Sequence, residues 1–86
     1  MSTADKSIYW IKAIHDELDK WVYAWPACLT HQRPAWAEEV IRLADIGAVL
    51  PDVRRLMVAT LTDPETLTLA TLTEARDAAR AALPED

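Results

Sequence analysis

The first twenty-five residues of this chain contain neither proline nor glycine, and their large apolar side chains fall on one side of a helical projection. Ile8, Ile11, Leu18, Val22 and Trp25 recur at spacings of three and four. His15 sits in the same stripe, and Ile14, Trp21 and Trp10 widen it along one edge. At about 100° per residue these nine positions span roughly 160° of the helix. The opposite arc holds Lys12, Asp16, Glu17, Asp19 and Lys20, with Tyr9 and Tyr23 among them. Pro26 ends the pattern, because proline lacks the amide and disfavours a helical residue before it. Ser2 followed by Asp5, or Ser7, suits the start as a cap. A helix from about residue 4 to 25 is roughly 33 Å long, the diameter of a small domain, so it is expected to be the spine.

The remaining punctuation agrees with this reading. Residues 26–33 form a loop, and Pro34 fits the first turn of a second helix, where a missing amide costs nothing. Trp36, Val40, Leu43 and Gly47 lie along one line of that helix, flanked by Ala37, Ile41 and Ala44. Gly47, the only glycine, stands where a left-handed C-terminal cap is expected. Pro51 starts a third helix with Val53, Leu56, Met57 and Thr60 inward. Asp63-Pro64-Glu65 has the signature of a helix start: a capping side chain, proline, then acid near the positive dipole end. Thr66 to Leu69 alternates with period two, which is strand-like, but no second strand exists to pair with it. The segment is therefore read as helix, with Thr73-Glu74 a point where a fifth helix can restart and run to about Leu83. Its inner face is Leu72, Ala75, Ala79 and Leu83. The expectation is an all-α bundle of four helices, or five, in one domain over residues 1–86, with a long N-terminal helix.

A chain of 86 residues buries only about 60–65% of its unfolded surface, so stability is modest without a staple. Cys28 is the lone cysteine, and the Met1–Lys6 segment is polar with no apolar signal region, which points to a reducing, cytoplasmic setting. No apolar run approaches the roughly 18 residues a membrane span needs. The net charge of −5 disfavours nonspecific retention on nucleic acid. Residues 63–86 hold six acids against two arginines, too little acid to mimic a DNA face.

The chemistry-bearing residues do not assemble into an active site. His15 lies in the apolar stripe with Asp19 one turn on, an orienting acid and a base without a nucleophile. Cys28 and His31 offer two metal ligands where structural zinc needs four. Glu38 and Glu39 point about 100° apart and read as first-turn acids of the second helix. One glycine cannot build a phosphate-cradling loop. No enzyme activity, cofactor or metal is expected.

Residues 43–57 (Leu-Ala-Asp-Ile-Gly-Ala-Val-Leu-Pro-Asp-Val-Arg-Arg-Leu-Met) carry glycine in the turn, an aliphatic six residues on and a basic residue soon after. Gly47, Val53 and Arg55 give this stretch a pattern that resembles a helix-turn-helix. The resemblance implies a DNA-binding regulator with Arg54 and Arg55 on the recognition helix. Val49 and Leu50 depart from the pattern, being apolar where a cap and a DNA contact are usually polar.

Four tryptophans and no phenylalanine shift attention to recognition. Trp25 and Trp36 bracket the 26–33 loop and are expected to pack against each other. Tyr9, Trp10, Trp21 and Tyr23 are the favoured partner-binding residues, on the premise that a domain this small cannot hide the whole apolar stripe. The favoured function is non-catalytic binding of another protein, in the manner of an inhibitor, immunity protein, antitoxin or adaptor of bacterial or phage origin. The partner is a basic, nucleic-acid-handling protein or a second copy of this chain.

Overall fold

Helix α1 (Thr3–Ala24) forms the spine, with α4 (Leu69–Ala82) packed along one flank and α2 (Arg33–Gly47) along the other. Helix α3 (Pro51–Thr62) packs on α2, so the spatial order is α4, α1, α2, α3. The computed structural model describes residues 3–84, and among them there is no strand. At about 33 Å, α1 accounts for most of the 40 Å long axis. Ser2 lies outside the described residues, as does the side chain of Asp5. Ser7 falls inside α1 and not at its first residue.

The two-flanked position of α1 explains which part of its stripe is covered. Ile14, Leu18 and Trp21 are buried, while Trp10, Ile11, Val22 and Trp25 are partly buried against the same core. The residues at the expected edge are thus its centre, because the edge faces the seam between two neighbours. The accessible surface of 5422 Å² is within about a tenth of the roughly 5,100 Å² expected of a solitary 9.7 kDa subunit. The stripe is covered in part: Ile14, Leu18 and Trp21 are enclosed by the neighbouring helices, while Ile8, Trp10, Ile11, His15, Val22 and Trp25 keep some exposure.

The prolines act as expected. The chain leaves α1 through a 3-10 turn at Trp25–Ala27, and Pro34 and Pro51 occupy the first turns of α2 and α3. Val53, Met57 and Thr60 point into the core, and the Thr60 hydroxyl donates to the Leu56 carbonyl at 2.9 Å, so its burial leaves no orphan. Arg33 clamps the loops together. Its Nη1 donates to the Leu67 carbonyl at 2.9 Å, and its guanidinium lies 4.4 Å over the Trp25 ring.

Three local expectations are corrected. Asp63 accepts from the Glu65 amide, but it opens only a 3-10 turn at Pro64–Thr66. Leu67 and Thr68 then run extended, with Leu67 fully buried, and α4 begins at Leu69 under a Thr68–Thr71 capping box. The period-two pattern marked a real extended stretch, used to drop Leu67 into the core without any ladder. Helix α4 is continuous through Thr73-Glu74, so among the described residues the bundle has four α-helices, the first of the two expected counts. Trp36 stacks on Trp21 and not on Trp25, with centroids 4.9 Å apart and planes 19° apart.

Gly47 is the last residue of α2, and the left-handed residue is Ala48 at φ 51°, followed by Leu50 at φ 52°. Glycine is required at 47 for space, because Trp10 of α1 lies against it. Ala48 is exposed, so its methyl group packs against little while its backbone sits where a Cβ costs about 1–2 kcal/mol. Ala48→Gly is expected to raise stability by about 0.5–1 kcal/mol after the added freedom of the unfolded chain is counted. A higher urea midpoint checks this; a lower one would show the turn to be unstrained.

Candidate functional site

Helix α1 presents one exposed arc, and it is bounded by aromatic rings. Tyr9 is 65% exposed and Tyr23 is 91% exposed. Fourteen residues separate them, which sets them about 40° apart around the helix and about 21 Å apart along it. Lys12, Asp16 and Lys20 lie between them, all exposed. Lys12 Nζ pairs with Asp16 at 3.1 Å, and the hydrogen bond from His15, followed by the one from Lys12, holds the Asp16 carboxyl below its ordinary range.

The Tyr9 end is built on a close helix approach. The Tyr9 ring meets the half-buried Trp10 ring edge-on, with centroids 5.1 Å apart and planes 87° apart. Trp10 in turn rests on Gly47 of α2. A Cβ placed on Gly47 would stand 2.5 Å from Trp10 Cγ and 2.8 Å from Cδ1. Tyr9 and Trp10 thus sit where α1 meets the end of α2. Ile46, the residue before this glycine, is 54% exposed. Ile46 was missed by the sequence reading. Its signal was a large aliphatic off the inward line, beside a lone glycine.

Of the four residues expected to bind a partner, Tyr9, Trp10 and Tyr23 remain reachable. Trp21 is corrected: it is 4% exposed and fills the α1–α2 seam against Trp36. Its place at the edge of the stripe pointed it at α2, not at solvent.

The titratable residues are engaged with one another. Arg80 Nε donates to His15 Nε2 at 3.2 Å, and an arginine N–H can only donate, so the ring proton belongs on Nδ1, which reaches Asp16 Oδ1 at 3.1 Å. Both ring nitrogens are used, and one of them ties α1 to α4. The His15–Asp19 pair that one-turn spacing allows is not formed. Asp19 faces α4 and accepts from Arg76 at 3.2 Å. Cys28 is half-buried with its thiol 3.6 Å from the Leu29 carbonyl, and His31 is exposed. Glu38 and Glu39 lie in the second turn of α2, since that helix starts at Arg33. Glu39 pairs with Arg42 at 2.6 Å, which holds its carboxyl below the usual range.

Residues 43–57 comprise the end of α2, the left-handed turn and the start of α3. Arg54 meets Asp45 at 2.5 Å and Arg55 meets Asp52 at 2.9 Å. Both arginines are thus held in exposed surface pairs with carboxylates. Val49 is buried and Leu50 half-buried, so neither is presented. No protein-family model, curated protein or solved structure matches this chain.

Proposed function

We propose that this chain is a small acidic protein-binding module without catalytic activity, which meets its partner through the exposed arc of α1. The observation that carries this is the Tyr9–Trp10 corner. Tyr9 is mostly exposed, yet its ring is braced edge-on by an indole that is itself seated on Gly47. An exposed aromatic ring held in one geometry loses little freedom on binding, which is the property of an interface anchor. Tyr23 marks the far end of the arc. The engagement of both His15 nitrogens supports a non-catalytic role. The net charge of −5 favours a basic partner, and a nucleic-acid-handling protein would present such a surface. In this reading the chain acts in the cytoplasm as an inhibitor, immunity protein, antitoxin or adaptor of bacterial or phage origin.

Tyr9→Ala is expected to leave the helical circular dichroism unchanged and to weaken partner capture at least tenfold, the size of a moderate hot spot at about 1.4–2 kcal/mol. Tyr23→Ala is expected to weaken it less. If the Tyr9→Ala/Tyr23→Ala double variant retains the partner at wild-type affinity, the reading is wrong. Light scattering at micromolar concentration identifies a second copy as the partner if the mass is that of a dimer. A mobility shift on DNA that is lost in Arg54→Ala/Arg55→Ala would favour the helix-turn-helix reading in its place.

A further inference from the structure

The helices pack pairwise on three sides, α4 on α1, α1 on α2 and α2 on α3, with a depression of about 860 Å³ between Ile8, Lys12 and His15 of α1 and Asp77, Arg80 and Ala81 at the end of α4. The fourth side, between α3 and α4, is left as a groove of about 280 Å³. Its floor is apolar, formed by Val53 and Leu56 of α3 with Ala75 and Ala78 of α4. The α4 side is low at Ala75 and Ala78, with Thr71 and Glu74 as its other lining residues. A cavity of about 150 Å³ takes one six-carbon ring, so this groove has room for roughly two aliphatic or aromatic side chains.

The rim says what kind of chain would carry them. Asp52 stands on the α3 side and Glu74 on the α4 side. Glu74 is exposed and takes part in no ion pair among the described residues. Among the described residues the cation paired with Asp52 is Arg55, in a well-exposed pair of the kind worth under about 1 kcal/mol. Every other arginine of these two helices is directed elsewhere: Arg54 to Asp45, Arg76 to Asp19 and Arg80 to His15. The groove therefore joins an apolar floor to a rim with one unpaired acid, Glu74, and one acid, Asp52, held only by its exposed pair with Arg55.

We infer that the α3–α4 groove docks a cationic amphipathic helix of a partner protein, with two aliphatic side chains at i and i+3 or i+4 on the Val53–Leu56–Ala75 floor and flanking lysine or arginine on Asp52 and Glu74. This is recognition of a helix in a groove, with charge fixing its orientation. A second copy fits poorly, because copies carrying −5 repel one another and the exposed arc of α1 offers tyrosines and charges in place of paired aliphatics. The groove lies on a different face from the Tyr9 corner, so the inference stands or falls apart from the α1 reading.

The test uses the full chain, isotopically labelled, and a synthetic Leu/Lys amphipathic helix of about five turns. Saturable amide shifts are expected at Val53, Leu56, Glu74, Ala75 and Ala78, and none with the Leu/Glu counterpart. Glu74→Lys should weaken binding about tenfold, while Glu38→Lys, the same charge change on the exposed side of α2, should change it by less than about twofold. Ala78→Trp should abolish binding by filling the groove. The inference is overturned by an absence of saturable shifts, by shifts centred on Tyr9 or Tyr23, or by equal losses in the two charge reversals. Self-association mapping to the groove without peptide would also overturn it, by making a second copy the occupant.

Discussion

Trp21→Ala is expected to cost about 3–5 kcal/mol and to leave the domain at the edge of unfolding. A chain of this length has about 4–13 kcal/mol of stability in total. The indole is 4% exposed and stacks on Trp36 across the α1–α2 seam, so alanine removes a large transfer term and leaves a cavity between two helices that cannot close on it. Part of the α1–α2 contact then rests on Ile14, Leu18 and the Trp10–Gly47 approach. Tyr23→Ala, two positions along the same helix, removes a ring that is 91% exposed and should fall within about 0.5 kcal/mol of wild type. Urea unfolding followed by circular dichroism measures both. Equal midpoints for the two variants would place Trp21 outside the core and restore it as a candidate contact.

Gly47→Ala is the second large effect, and here two contributions oppose each other. Alanine is the better helix former by about 1 kcal/mol at the end of α2. Against this, the new methyl would sit 2.5 Å from Trp10 Cγ and closer still to Trp10 Cβ. Those atoms are at the root of the side chain, fixed to the α1 backbone, so no rotamer change moves them away. The helices must separate, and overpacking of this kind costs about 1–3 kcal/mol or more. The clash should win, with a net loss of about 2 kcal/mol and a fall in Tm of about 8–16 °C. The same separation would loosen the brace under Tyr9, so partner capture should weaken as well. A Tm at or above that of the wild type would mean that propensity dominates and that α1 and α2 do not approach so closely.

Much of the architecture was readable in the chain because its signals are short-range. Pro26, Pro34 and Pro51 act on the residues beside them, and the inward faces of α3 and α4 follow from a period of 3.6. The alternation at Thr66–Leu69 was also a true signal, but its meaning depended on a contact elsewhere. Leu67 is extended because it drops into the core while Arg33, far back in sequence, holds its carbonyl. The candidate site was half legible. Tyr9 and Tyr23 fall on the polar arc by periodicity alone, whereas the brace under Tyr9 exists only through the Trp10–Gly47 approach.

The amino-acid order alone determined an all-α chain, the positions of three helix starts and the side of each helix that turns inward. Those properties depend on the geometry of neighbouring turns, which residues one to four apart control. The tertiary structure decided which ring of the aromatic set is core and which is surface, what the single glycine is for, and which flank of the bundle stays open. Each of these turns on distance between helices. Trp21 is covered because Trp36 arrives beside it, Gly47 must be bare because Trp10 lies on it, and α3 and α4 leave a groove whose α4 side is low at Ala75 and Ala78.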